Sequence, residues 1–172
     1  MANSSADSAL GVLGVDLDRV DTSALHEQGA RIDTQNGRAV YAKAIASTGV
    51  GSLVLVAPSS AGAAVSVQAT LVSTANVNSA PGFLAFSNAS IAAASYGWFY
   101  TEGNRDVRVK VAAAAAPLVP LYTTGTGGVL DDATVSTGRI QGVRILEAAS
   151  AGGGSAQPAV FGPIVNARTY VA

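Results

Sequence analysis

The chain has 172 residues, ten of them Lys or Arg and eleven Asp or Glu, so that charged residues make up only 12% and the net charge is −1. This balance excludes the long-range attraction on which nucleic-acid and anionic-membrane binding rest. The absence of cysteine excludes a disulfide framework, a thiolate nucleophile and a thiolate metal site. Of the apolar residues 34 are Ala, while Val and Ile together number 27 against 13 for Leu and Met. A β-branched excess suits pleated surfaces. The expected fold is mainly β, a small antiparallel β-barrel or sandwich, with a thin core in each copy and much apolar surface buried between subunits.

Residues 1–30 read as an extended N-terminal arm, because Leu10, Val12 and Leu13 are too few to form a core of their own. The first residues lack both the basic and the apolar regions of a secretory signal, which predicts synthesis in the cytoplasm. A short helix is expected over Thr22 to Gln28, with Asp21 or Thr22 as its cap and Gly29 as its stop. Two sequons begin at Asn3 and Asn88 and are read as chance. The longest apolar stretches, Ile91 to Ser95 and Ala112 to Val119, are too short to span a bilayer.

Residues 31–172 are expected to form one β-barrel or sandwich domain with a loop-rich insertion near 57–90. Asn36-Gly37 between two β-capable runs predicts a hairpin. Ser52 to Val56 reads as a short buried strand ended by Pro58 to Gly62, and Ala64 to Ser73 alternates through Val65, Val67, Ala69 and Leu71 as another. Loops are expected to dominate 74–90 around a short Phe83 to Phe86 strand. The run Ala112 to Ala116 is too short for a stable helix and reads as strand or connector, followed by a strand from Leu118 to Thr123 with a bend at Pro120. Gly125 to Gly128 is a turn, Asp131-Asp132 a tip flanked by Val129-Leu130 and Thr134-Val135, Gly138 to Leu146 a strand, Ala148 to Gly154 a flexible segment, and Ala159 to Val165 the closing strand.

The cleanest periodicity runs from Tyr96 to Val111. Gly103-Asn104 predicts a two-residue turn that sets Glu102 opposite Arg105, Tyr100 opposite Val107, Trp98 opposite Val109 and Tyr96 opposite Val111. Aromatics and valines then share a core face, with Trp98 buried near Val109. The other face is mixed, with Phe99 across from Arg108 as a cation–π pair, Thr101 across from Asp106 and Gly97 across from Lys110.

No residue pattern specifies catalysis, and no catalytic, cofactor-binding or metal-binding residue is assigned. His26 is the sole His and reads as a packing or solvated residue. Ser52 and Ser155 lack the flanking glycines of a nucleophile elbow. Asp16-Leu17-Asp18-Arg19-Val20-Asp21 starts like a calcium loop but has Asp21 where the glycine belongs and no closing Glu. Asp131 and Asp132 read as turn caps, and Gly125 to Gly128 lacks the residues of a phosphate loop. Tyr96, Trp98 and Tyr100 near Arg105, Arg108 and Lys110 suggest a base-stacking platform, but the predicted register turns the aromatics toward valines and away from most of the cations.

The order of features, Asn36-Gly37-Arg38-Ala39-Val40-Tyr41-Ala42-Lys43-Ala44, then Ala94-Ser95-Tyr96-Gly97-Trp98-Phe99-Tyr100-Thr101-Glu102-Gly103, then Pro120-Leu121-Tyr122 with Gly128-Val129-Leu130-Asp131, and Ile140-Gln141-Gly142-Val143, resembles the tailed-phage head decoration, or capsid cement, proteins. The similarity spans roughly Gly37 to Val165. It implies a non-enzymatic β-barrel without cofactor, a homotrimer on the capsid exterior of a bacteriophage virion, whose partner is the major capsid protein and which binds neither nucleic acid nor membrane. The arm would reach between capsid subunits. The competing reading is a carbohydrate-binding or host-adhesion module with Trp98, Tyr96 and Tyr100 exposed to stack on sugars, and the exposure of Trp98 separates the two.

Overall fold

In the computed structural model, which describes residues 15–59, 66–77, 82–134, 138–150 and 155–162, the chain folds into strands β1 (Arg31–Thr34), β2 (Gly37–Ala44), β3 (Leu53–Ser59), β4 (Ser66–Leu71), β5 (Phe83–Ser87), β6 (Tyr96–Gly103), β7 (Arg108–Lys110), β8 (Leu121–Thr123), β9 (Leu130–Asp131), β10 (Arg139–Ile140), β11 (Val143–Ile145) and β12 (Ala156–Phe161). The fold is mainly β, as composition predicts. The strands β2-β4-β3-β5-β6 pair in that order, and β6 returns to β2, closing a five-stranded barrel. Every pairing in the ring is antiparallel except the one between β2 and β4.

Alternation sorts the barrel side chains into two sets. Val40, Ala42, Ala44, Val54, Val56, Ala69, Ala85 and Phe99 form one cluster, capped by Ile91. On β4 only this side is buried, at Ala69, while Ser66, Gln68 and Thr70 on the other side are half-exposed, so this cluster fills the lumen. Their neighbours Ala39, Tyr41, Leu53, Leu55, Leu84, Phe86, Trp98 and Tyr100 point outward into a larger core. Residues 104–162 cover it with Val107, Val109, Val111, Leu121, Leu130, Ile140, Val143, Ile145 and Phe161. Phe161 meets Phe86 edge-on at 4.8 Å between ring centroids.

The aromatics and valines of the Tyr96 to Val111 stretch therefore do share a core, and Trp98 is buried, but the hairpin that was to join them does not form. β6 is flanked by β2 and β5, and β7 pairs with β12 through Val109↔Gln157. Gly103 takes up β2 and β12 instead of a turn, and the chain reverses over Asn104 to Val107, whose N–H donates to the Asn104 carbonyl. On β6 the face expected to be mixed is the barrel lumen, where Phe99 is fully buried. The Arg108 guanidinium donates to the Ala156 carbonyl rather than covering Phe99.

The β1–β2 hairpin forms one residue earlier than predicted, with Thr34↔Gly37 closing a turn of Gln35 and Asn36. Gly37 has a different duty. Its φ is +141°, and a Cβ there would lie 2.0 Å from the Glu102 carbonyl oxygen of β6. No helix is present among the described residues; over 22–28 the chain runs in turns, and Gly29 adopts φ +88°. Asp21 cannot cap a helix there because its backbone bridges Tyr96 of β6. The segment near 57–90 supplies two barrel strands, β4 and β5, and β3 runs through Pro58 to Ser59. The strand expected from Leu118 starts only at Leu121, and the one expected over Gly138 to Leu146 is split at Gly142, φ +84°, into β10 and β11. Val135, 151–154 and 163–165 of the remaining expectations lie outside the described residues.

Gly37→Ala is expected to cost ~1–3 kcal/mol by forcing β2 from β6. Gly125→Ala, with nothing within 4 Å of the added methyl, should stay within ~0.5 kcal/mol of the parent. Trp98→Ala should cost ~3–5 kcal/mol. Urea unfolding curves of the three variants check all of these.

Candidate functional site

Two arrangements hold the chemistry that the chain places on purpose. One seats residues 15–30 on the barrel. Leu17 is buried, and Asp21, only 6% exposed, exchanges backbone hydrogen bonds with Tyr96. The Tyr41 hydroxyl donates to Asp21 Oδ2 at 2.8 Å and accepts the Leu25 N–H at 3.3 Å, while Arg19 Nε donates to Asp21 Oδ1 at 2.8 Å. A buried carboxylate needs such partners to remain in the interior. His26 packs edge-on against Tyr41 at 5.1 Å and tilted against Trp98 at 5.3 Å, and Lys43 Nζ lies 5.7 Å from the Tyr96 ring centre. Part of the segment assigned to the arm is thus body, and residues 1–14 lie outside the described residues.

The other arrangement is the loop from Ala112 to Pro120. Its nine side chains carry no polar atom, yet Ala113, Ala114, Pro117 and Leu118 are exposed. Leu118 is 64% exposed, the most of any large apolar residue described. The loop is held by its backbone: Ala112 N–H donates to Leu130, Ala114 to Ser150 and Leu118 to Ile145, and the Ala115 carbonyl accepts Ala149. Ala116 N–H donates to Asp132 Oδ2 at 2.9 Å. Ala114 and Leu118 sit at φ +59° and +62°. That region costs an ordinary L-residue about 1–2 kcal/mol, and local hydrogen bonding must offset it.

The residues weighed from sequence fall elsewhere. Ser52 Oγ accepts the Gly49 N–H, and Ser155 Oγ accepts Gln157 Nε2. Asp16 Oδ1 caps the Asp18 N–H, and Asn88 donates to Asp18. Asp131 accepts the Asp132 N–H. Among the described residues no group of three or more His, Asp or Glu is close enough to hold a metal ion. Gly125 to Gly128 is a turn closed by Thr124 Oγ1, with Gly128 donating to the Val72 carbonyl. Trp98 is 4% and Tyr100 1% exposed, so neither can form a stacking platform. Arg105 lines an open depression of about 590 Å³ with Asn104, Asp106, Leu146, Glu147 and Pro158, a mixture of charge signs that favours neither anions nor cations.

Neither arrangement was assigned from the sequence. The Asp21–Tyr41 contact leaves no sequence signal, since nothing local pairs positions twenty residues apart. The loop does leave one: an apolar run interrupted by Pro117 and ended by Pro120 can neither be a long helix nor pair as a central strand, so its apolar side chains have no secondary structure to bury them.

Burial pushes the Tyr41 hydroxyl up to about 12; the bond to Asp21 adds to this and the Leu25 N–H opposes it. Below pH ~10 the phenol is protonated in folded and unfolded chains alike and its contribution is whole. As pH rises from about 10 through about 12 the unfolded chain loses the proton first, so stability falls by up to ~1.4 kcal/mol per pH unit. Tyr41→Phe should cost ~1–3 kcal/mol at neutral pH and remove that component of the alkaline slope, as read from urea unfolding of both proteins between pH 8 and 12. Compared with protein-family models, with curated proteins and with solved structures, the chain has no significant match.

Proposed function

We propose that this chain is a structural, non-enzymatic component of a bacteriophage virion that binds the capsid exterior and holds neighbouring major capsid subunits together, acting as a homo-oligomer that the family resemblance makes a trimer. The observation that carries the reading is the Ala112 to Pro120 loop. A soluble chain gains nothing by holding Leu118 in a strained conformation with its side chain in water; a chain that presents it to a protein partner does. Backbone anchoring keeps the loop in its bound shape before contact, so little ordering entropy is lost on docking. Uncharged, small side chains allow close approach to a shell. The burial of Trp98 and Tyr100 supports assembly over adhesion, because it removes the aromatic surface a sugar would need.

The seating of residues 15–30 also redefines the arm. A deletion through Ala30 would remove Asp21 and Leu17 and so damage the barrel itself. The segment to delete when testing reach between capsid subunits is 1–14.

Leu118→Asn is the sharper test. Asn tolerates positive φ, so the variant should unfold at the same or a higher temperature. Its binding to undecorated shells of the phage that encodes the chain should weaken about 10–30-fold, the loss expected of a central apolar anchor. Unchanged binding would remove the loop from the interface, and a parent protein that never binds such shells would remove the reading.

A further inference from the structure

β1 ends the sheet: β2 lies along one edge, and no described residue pairs with the other. The hairpin register fixes which backbone groups are spare. Thr34↔Gly37 closes the two-residue turn and exchanges both backbone bonds, Ile32↔Ala39 repeats this two residues on, and the series continues with Tyr41 N–H donating to the Ala30 carbonyl at 2.9 Å. The N–H and C=O of Arg31 and Asp33 therefore point away from β2. Their side chains share one face and are exposed. Asp33 holds Arg38 through Oδ1, while Arg31 lies 5.6 Å over the Phe83 ring with no carboxylate partner among the described residues.

We propose that β1 is a self-pairing edge, joining antiparallel to β1 of a second copy of this chain about a two-fold axis through Ile32. In this register Arg31 stands opposite Asp33 of the second copy and Asp33 opposite its Arg31. Both pairs are hydrogen-bonded pairs, so four backbone bonds form and each cation faces a carboxylate. The alternatives are disfavoured. A slip of two residues sets Arg31 against Arg31 or Asp33 against Asp33, and a slip of one misaligns the spare groups. A pit of about 150 Å³, bounded by Gly29, Pro58, Val67 and Phe83, lies beside Arg31. Three residues of pairing on each copy bury far less than the ~1,200 Å² of a stable interface, which makes the contact weak between free copies and effective between copies already arrayed on a common surface. It joins copies in pairs, so it would connect trimers rather than build one, and it does not depend on the capsid reading.

The chain has no cysteine, so Ile32→Cys puts a single thiol on the two-fold, at a non-hydrogen-bonded pair where antiparallel strands bring Cα atoms to ~4.5 Å, within disulfide reach. Oxidation should give a covalent dimer, whereas Arg139→Cys on β10 should give at least tenfold less. Adding Arg31→Asp to Ile32→Cys should cut the yield at least tenfold, and adding Arg31→Asp with Asp33→Arg together should restore it. Equal yields from Ile32→Cys and Arg139→Cys, or a yield indifferent to Arg31→Asp, would overturn the proposal. If Ile32→Cys does not fold, sedimentation of the cysteine-free parent, single and swapped chains at high concentration makes the same comparison: association lost and regained sustains the proposal, and association absent or unaltered ends it.

Discussion

The narrow lumen of a five-stranded barrel governs the rest of this structure. Small barrels have interiors that side chains must fill completely, and here Ala42, Ala44, Ala69 and Ala85 leave room for one fully buried ring, Phe99, with Phe83 partly buried against the same cluster. The remaining fully buried large rings on those strands face outward, and a barrel whose outer wall carries Tyr41, Leu53, Phe86, Trp98 and Tyr100 needs a cover. Residues 15–30 and 104–162 provide it. The abundance of Ala is thus partly explained inside one copy, and the largest buried side chains, Tyr41, Tyr100, Phe86 and Phe99, are enclosed without any partner.

Two carboxylates do related work at opposite parts of the cover. Asp21 ties residues 15–30 to the Tyr41 hydroxyl, and Asp132 ties the Ala112 to Pro120 loop to its own sheet through Ala116. Each turns an irregular segment, which could not hold itself by secondary structure, into a fixed surface. A hydrogen bond to a charged group is stronger than one between neutral groups, and few charges are needed when they are placed this way. The low charged fraction of the sequence fits a molecule whose carboxylates act as internal fasteners as well as solubilising groups.

Much of the barrel was legible because its signals are local. The β1–β2 hairpin announced itself through Asn36 and Gly37, and β3, β4 and β5 through β-branched or alternating runs. The sidedness of Trp98, Tyr100, Val107 and Val109 was readable too, since alternation survives any choice of partner. The partner itself was not. A local turn rule joined β6 to β7, whereas β6 spends one edge on β2, far away in sequence, and the other on β5, the strand that precedes it. Gly103 was read as a turn former, when its lack of a side chain serves close packing: an added Cβ would lie 2.7 Å from the Phe161 ring. The helix expected over 22–28 failed for the same kind of reason, with Asp21 drawn into a tertiary bond that outcompetes a cap. The exposed loop went unrecognised because apolar runs are expected to be buried, and only the position of its prolines says otherwise.

The ring pairing carries a consequence for how the chain is made. β1–β2 and β3–β4 are neighbours that can pair as soon as both strands exist, but the barrel closes only when β6 returns to β2, and the outer face of β6 is sealed only when Phe161 of β12 arrives over Gly103 and Phe86. Non-local pairings of this kind form late because loop closure must come before the contacts that reward it. During synthesis Phe86 is therefore in place while Phe161, which covers it, is still inside the ribosome. A chain released before β12 would carry a sticky, half-roofed barrel, so the last strand works as a quality seal that separates finished subunits from those prone to clump.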